Sequence, residues 1–107
     1  MNVEQTDEFR DWLSRLKDRL ARASILARID RLPSGNLGDF KLFDGILELR
    51  IHINAGYRIY CWKHGDAYIL LMCGGNKSSQ VRDIAKAKEI IQILKGEEKW
   101  MLIPLKN

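Results

Sequence analysis

The stretch that decides the fold is residues 46–63, which read ILELRIHINAGYRIYCWK. Apolar and polar side chains alternate from Leu47 to Ile53, and a second alternating run covers residues 57–63. Asn54-Ala55-Gly56 separates the two runs and has the composition of a turn. Two alternating runs joined by a short turn predict a pair of antiparallel β-strands.

These two strands would present two different surfaces, because successive side chains of a strand point to opposite faces of the sheet. One surface is mainly aliphatic and carries Leu47, Leu49, Ile51, Ile53, Tyr57, Ile59 and Cys61. The other is charged, polar and aromatic and carries Glu48, Arg50, His52, Arg58, Tyr60 and Trp62. We therefore expect helices to cover the first surface and to leave the second open.

Downstream, the sequence predicts one more strand and a helix. His64-Gly65-Asp66 closes a second hairpin, and residues 67–73 are nearly all apolar, as in a strand buried on both faces. Gly74-Gly75-Asn76 is predicted to be a flexible turn. A helix should follow from about Ser78 and end at Gly96, which leaves residues 97–107 as an edge strand or a docking arm.

Upstream of residue 33, apolar residues recur at spacings of three and four, as in a helix, and no longer alternate with polar ones, as in a strand. Residues 2–5 fit a short first strand, and Thr6 can cap a following helix. Two apolar stripes then run to Leu32, as either a helical hairpin or one bent helix. The Pro33–Asn36 cluster ends this region, and a short strand at residues 40–43 leads into the Asp44-Gly45 turn.

The element order indicates a single α+β domain. A chain of 107 residues does not hold two separate cores. Two N-terminal helices and a C-terminal helix should pack on an antiparallel sheet of three to five strands, with residues 1–96 as the domain and residues 97–107 as a tail.

Composition narrows the class of protein. The net charge of +4 favours an anionic partner such as RNA, DNA or an acidic protein. The longest apolar run, residues 67–73, is too short to span a membrane, and the acidic, polar N-terminus does not resemble a secretory signal.

Cys61 and Cys73 lie in apolar runs, so we expect buried free thiols and a cytoplasmic location. Neither a metal nor another cofactor is expected.

The predicted open surface has the chemistry of an RNA-binding site. Arginines such as Arg50 and Arg58 bind phosphate in a bidentate manner, and rings such as those of Tyr60 and Trp62 stack on unpaired bases. His52 can act as a general acid or base near neutral pH. The alternative interpretation is a solvated face of mixed charge.

Three further cations complete the candidate set. Lys77 follows a glycine-rich turn and precedes a helix, where a lysine can meet a phosphate. The spacing of a nucleotide-hydrolysing P-loop is absent. Lys41 and Arg82 are expected to assist in substrate binding.

Four segments in this order resemble one family. They are residues 32–41 (LPSGNLGDFK), 47–51 (LELRI), 56–60 (GYRIY) and 70–80 (LLMCGGNKSSQ). Together they resemble the RelE/HigB-like toxins, and more narrowly the phage-derived Gp49-like branch, also described as addiction-module killer proteins. The resemblance extends over roughly residues 2–95.

The resemblance implies a toxin of a type II toxin–antitoxin system, with two N-terminal helices on a curved antiparallel sheet. It implies metal-independent cleavage of mRNA on the ribosome by attack of a 2′-hydroxyl on the adjacent phosphate. Arg58 matches the arginine that grips the scissile phosphate, Arg50 matches a basic residue of the preceding strand, and Lys77 falls where the family has a cation near the transition state. The expected partners are mRNA, the ribosome and a cognate antitoxin of helix-turn-helix type.

Two positions depart from the family pattern. Glu48 stands where the ribosome-dependent prototype has a lysine, and Asp83 lies near the place of its catalytic tyrosine. His52 or Tyr60 is a candidate substitute for that tyrosine. Two alternatives therefore remain: a ParE-like inhibitor of DNA gyrase that acts by protein contact, and an inactive remnant that only binds its antitoxin.

Overall fold

The computed structural model describes the backbone of residues 1–102 and the side chains of residues 1–96. Its helices and strands follow in the order β1 (Asn2–Gln5), α1 (Asp7–Arg15), α2 (Arg19–Arg31), β2 (Phe40–Phe43), β3 (Ile46–Ile51), β4 (Tyr57–His64), β5 (Tyr68–Asn76) and α3 (Gln80–Leu102). Within the described residues, three α-helices and one five-stranded sheet make an α+β fold, as the sequence predicted.

The sheet has the strand order β1-β5-β4-β3-β2. Strands β2 to β5 are antiparallel neighbours, whereas β1 pairs with β5 in parallel, so the sheet is mixed and not purely antiparallel. A parallel pair needs a long connection, and the elements between β1 and β5 provide it. The apolar strand β5 thus has a neighbour on each side, which confirms its predicted central position.

Helices α1 and α2 cover the predicted aliphatic surface. Phe9, Leu13 and Ile25 from these helices are buried against Leu49 and Ile59 of the sheet. The alternation read from residues 47–61 therefore gives the correct inner face for both strands.

Helix α3 covers part of the opposite surface, which the sequence predicted to be open. Ala87 and Ile91 of α3 pack against Tyr60, Leu70 and Met72. The expectation that all helices share one face is wrong, because β5 is apolar on both sides and needs cover on both. The sheet is therefore enclosed between two helical layers along this part of its length.

Two N-caps set where the N-terminal helices begin. The Thr6 side chain accepts a hydrogen bond from the amide of Phe9, and the Asp18 side chain accepts one from the amide of Ala21. The chain leaves helical geometry at Leu16, so α1 and α2 are two helices and not one bent helix.

Two glycine segments differ from their predicted structure. Gly74-Gly75-Asn76 is not a flexible turn but the end of β5, where it pairs with residues 57–59 of β4. Gly96 does not end α3, which continues to Leu102; a glycine inside a helix costs only about 1 kcal/mol relative to alanine. The rest of the tail, residues 103–107, lies outside the described residues. No helix within the described part of the chain is long and apolar enough to cross a membrane.

Candidate functional site

A cleft of about 380 Å³ lies at the end of the β3–β4 hairpin and brings four of the predicted site residues together. Arg50, His52, Arg58 and Lys77 line it, together with the turn between the two strands. Arg50 and Arg58 are direct cross-strand partners, so their side chains leave the same face of the sheet. The four candidate catalytic residues therefore border one opening.

Asp39, in the loop before β2, organises two of these four side chains. Its carboxylate accepts a hydrogen bond from Arg50 Nη2 at 2.9 Å and forms a short contact with His52 Nε2. The hydrogen bond from His52, followed by that from Arg50, holds the pKa of Asp39 below its usual value. Sequence reasoning missed Asp39, since it lies in a loop outside any periodic pattern; the signal that could have found it is its place in the quoted segment 32–41.

Arg28 of α2 fixes the loop that carries Asp39. Its guanidinium donates to the carbonyls of Leu37 and Asp39 and, at 2.9 Å, to the carbonyl of Arg50. Burial lowers the pKa of Arg28, and the charge of the nearby Asp39 opposes this shift. One half-buried cation thus connects α2 to the loop and to β3.

Asp18 fixes the turn on the other side of the cleft. Besides capping α2, its carboxylate accepts hydrogen bonds from Asn54 Nδ2 at 2.8 Å and from the Tyr57 hydroxyl at 3.1 Å. Asn54 has a φ of 49°, so the turn uses a left-handed residue that asparagine tolerates. The wall of the cleft is therefore anchored to the start of a helix.

Beneath the cleft, Arg58 meets a buried carboxylate. Glu48 is almost fully buried, and its Oε2 lies 3.8 Å from Arg58 Nε and 3.2 Å from the side-chain amide of Gln80. Arg58 Nη1 also donates to the carbonyl of Gly56. The Arg58 side chain is 14% exposed, so most of it is buried while its end borders the cleft.

Tyr60 and Trp62 do not stand on the open face that the sequence predicted, because Tyr60 is fully buried and Trp62 is half-buried. Their role in substrate binding stays a prediction. Tyr60 is fully buried beneath α3, and burial together with the nearby Glu48 raises the pKa of its hydroxyl. Trp62 packs at the edge of the same cluster and lies edge-on to the His64 ring. The reason is again α3, which occupies this part of the second surface.

Lys41 and Arg82 lie outside the cleft. Lys41 is opposite Glu48 on the edge strand β2, with its ammonium 5.5 Å from the centre of the Phe43 ring. Arg82 is exposed on the first turn of α3 and borders a neighbouring groove. Neither residue contributes to the lining of the cleft.

The predicted free thiols are confirmed. Cys61 and Cys73 are both buried and reduced. Burial raises the pKa of Cys73 to about 12 and that of Cys61 above its usual value. Both therefore serve as small apolar residues of the core.

The cleft is suited to binding an anion. Three permanent cations, Arg50, Arg58 and Lys77, border it, and His52 can add a fourth positive charge when protonated. Two acidic groups, Asp39 and Glu48, sit at its side and beneath it and position the arginines. Lys77 has no carboxylate within ion-pair distance among the described residues, so its charge is available to a ligand.

Comparisons with known proteins give one clear relationship. A protein of Haemophilus influenzae, described only as uncharacterized, is 46% identical over 95 residues, which cover 88% of this chain and 96% of that protein. No family model matches the sequence, and no solved structure matches it. The chain belongs to the same protein family as this Haemophilus protein.

Proposed function

We propose that this protein is a RelE/HigB-like toxin of a type II toxin–antitoxin system that cleaves mRNA, with the ribosome presenting the substrate. The observation that carries the proposal is the cross-strand pair Arg50–Arg58, which together with Lys77 borders one open cleft. Guanidinium groups bind phosphate through paired hydrogen bonds, and an ammonium adds a point charge. The motif resemblance and the basic net charge support the same assignment.

In the proposed reaction, an RNA 2′-hydroxyl attacks the adjacent phosphorus and the bond from phosphorus to the 5′-oxygen breaks. The products are a 2′,3′-cyclic phosphate and a free 5′-hydroxyl. Arg58 and Lys77 stabilise the negative charge that develops on the phosphoryl oxygens, and Arg50 holds the neighbouring phosphate. Both roles, stabilising the developing charge and holding a phosphate, require only positive charges at fixed positions in the cleft.

His52 is the candidate for proton transfer. Its Nε2 contacts the Asp39 carboxylate, which orients the ring as a carboxylate does in other acid–base pairs. The side chain is 71% exposed, so RNA can reach the other ring nitrogen. Tyr60, the other candidate, is buried and does not border the cleft.

The proposal extends to location and partners. Cleavage on the ribosome requires the cytoplasm, and a toxin requires an antitoxin, which we expect to be of helix-turn-helix type and encoded next to this protein. An antitoxin could neutralise the protein by covering the cleft.

The test is a short pulse of expression followed by mapping of RNA 5′ ends. We expect growth arrest and new 5′ ends within translated regions. Arg58→Ala should reduce cleavage by roughly 100-fold or more, the usual effect of removing a group that stabilises transition-state charge. The matched control is Arg22→Ala, which removes the same charge from an exposed position on α2.

Other outcomes identify the alternatives. Growth arrest with intact transcripts and a DNA-damage response would favour the ParE-like gyrase inhibitor. Binding of the antitoxin without growth arrest would favour an inactive remnant. Full toxicity of a folded Arg58→Ala variant would contradict the assignment of the cleft.

A further inference from the structure

A groove of about 640 Å³ adjoins the cationic cleft and is not used by the reaction described above. It lies between α1 and the first turn of α3, over the last residues of β5. Tyr57 lines both the groove and the cleft, and Lys77 on the cleft side is flanked by Asn76 and Ser78 on the groove side. A ligand that leaves the cleft past residue 77 therefore enters the groove.

The floor of the groove includes the backbone of Gly74 and Gly75, on which the Trp12 ring and the Asp83 carboxylate pack closely. A Cβ atom on Gly74 would lie 2.5 Å from the ring of Trp12, and one on Gly75 would collide with the Asp83 carboxylate. Strand β1 pairs with β5 only as far as Leu71, so the outer edge of β5 beyond that point has no strand partner in the described chain. On this edge the carbonyl of Met72 accepts a hydrogen bond from the Thr6 hydroxyl, and the following residues Gly74, Gly75 and Asn76 border the groove.

The walls of the groove combine aromatic rings with one positive charge. The rings of Trp12 and Tyr57 have centroids 6.5 Å apart. Among the described residues that line the groove, Arg82 is the only charged one, and its side chain is 82% exposed. Asp83, beneath the floor, is buried and accepts a hydrogen bond from Ser79.

We propose that this groove is a subsite for one or two unpaired nucleotides of the RNA strand whose phosphate occupies the cleft. The inference rests on the function proposed above and extends it. The half-buried Trp12 provides ring surface for a base, the end of β5 provides backbone polar groups for its polar edge, and Arg82 binds the next phosphate. Arg82 lies 3.8 Å from the buried Asp83 carboxylate, and its 82% exposed side chain is the charge at the rim that would meet a phosphate.

The test measures binding of 2′-O-methylated oligonucleotides, which cannot react by 2′-hydroxyl attack. A dinucleotide is short enough to occupy the cleft alone, whereas a hexanucleotide also reaches the groove. Val81 lines the groove and is 86% exposed, so substitutions there leave the core intact. Val81→Glu should weaken hexanucleotide binding about tenfold by repelling phosphate, whereas the uncharged Val81→Gln should change it less than about twofold.

Arg82→Ala provides a second, independent variant, with Lys88→Ala as its control. Lys88 lies on the same helix but pairs with Asp44, away from the groove. We expect Arg82→Ala, and not Lys88→Ala, to weaken hexanucleotide binding several-fold, with little effect of either on the dinucleotide. A 4-thiouridine in the hexanucleotide should crosslink to residues 74–82.

The possible failures are distinguishable. If the wild type binds neither oligonucleotide, or binds the hexanucleotide no more tightly than the dinucleotide, the subsite is overturned, whereas the proposed function is decided separately by growth arrest and the mapping of RNA 5′ ends. If the hexanucleotide binds but Val81→Glu and Arg82→Ala bind it as the wild type does, or the crosslinks fall elsewhere, the subsite is overturned and the cleft assignment stands.

Discussion

Glu48 shows how one residue can be misjudged from a strand pattern. The alternation correctly placed it on the same face as Arg50, and the resemblance marked it as a departure that weakens the basic cluster. In the structure it is buried below Arg58 and also accepts a hydrogen bond from Gln80 of α3. A buried carboxylate is costly unless it has a charged partner, so Glu48 and Arg58 depend on each other.

Glu48→Gln should therefore destabilise the protein, because it leaves the Arg58 guanidinium mostly buried without a counter-charge. We expect the free energy of unfolding to fall by about 1–3 kcal/mol, as for other buried groups that lose a partner. Urea denaturation measures this change. Glu89→Gln, on the exposed side of α3, is the control and should stay within about 0.5 kcal/mol of the wild type. Equal stability of the two variants would show that Glu48 does not pair with Arg58.

At the scale of elements, the loop between α2 and β2 is the part of the site that periodicity does not reveal. Gly38 has a φ of 69°, and a Cβ atom there would lie 2.7 Å from the Arg28 guanidinium carbon. Arg28 can move, but only by giving up its hydrogen bonds to the carbonyls of Leu37, Asp39 and Arg50. The glycine therefore keeps the loop in the conformation that brings Asp39 to the cleft.

Gly38→Ala should cost more than Gly35→Ala, although both glycines have positive φ. Gly35 has nothing within 4 Å of an added Cβ, so its substitution costs only the backbone strain, about 1–2 kcal/mol. Gly38→Ala adds the loss of the Arg28 hydrogen bonds, about 1.5–3 kcal/mol. Comparison of the two urea midpoints measures the difference. Identical midpoints would mean that Arg28 does not hold this loop.

The elements differ in how far the sequence alone could predict them. Strands β3 and β4 were predictable because the alternation over residues 47–53 and 57–62 marks each strand and the face that α1 and α2 cover, although it did not reveal that Glu48 and Tyr60 on the other face are buried. Three other features of the fold could not be predicted from the sequence. The parallel pairing of β1 depends on which sheet edge is vacant, and the continuation of α3 through Gly96 depends on a small backbone cost. The cover over Tyr60 depends on α3 crossing to the second face.

The candidate site, like the fold, could be predicted from the sequence only in part. Arg50, Arg58 and His52 could be grouped because cross-strand register follows from the turn that joins their strands. Asp39 reaches them over 11 and 13 positions of sequence through a loop, and such contacts exist only in three dimensions. Burial of Tyr60 likewise depends on a helix that starts 20 positions later in the chain.

For the whole molecule, the two carboxylates that fix the walls of the cleft also determine its behaviour in acid. The pKa of Asp18 is lowered, first by the hydrogen bond from the Ala21 amide and then by that from Asn54, and the pKa of Asp39 is lowered by His52 and Arg50. A folded-state pKa below the unfolded value means that the unfolded chain takes up protons more readily as the pH falls. The stability that these groups add is present above about pH 4 and is lost as the pH falls through their folded pKa values.

The double variant Asp18→Asn, Asp39→Asn should therefore flatten the acid limb of the stability profile. Between about pH 5 and pH 2, the free energy of unfolding of the wild type should fall more steeply than that of the double variant, because the variant has lost two groups that bind protons on unfolding. Urea denaturation at a series of pH values gives both slopes. Asp30→Asn, which removes a carboxylate from an exposed position on α2, should leave the slope closer to that of the wild type. If the double variant keeps the wild-type slope, Asp18 and Asp39 are not the groups that link stability to acid, and the pairing of Asp39 with His52 would need to be abandoned along with the acid–base role that depends on it.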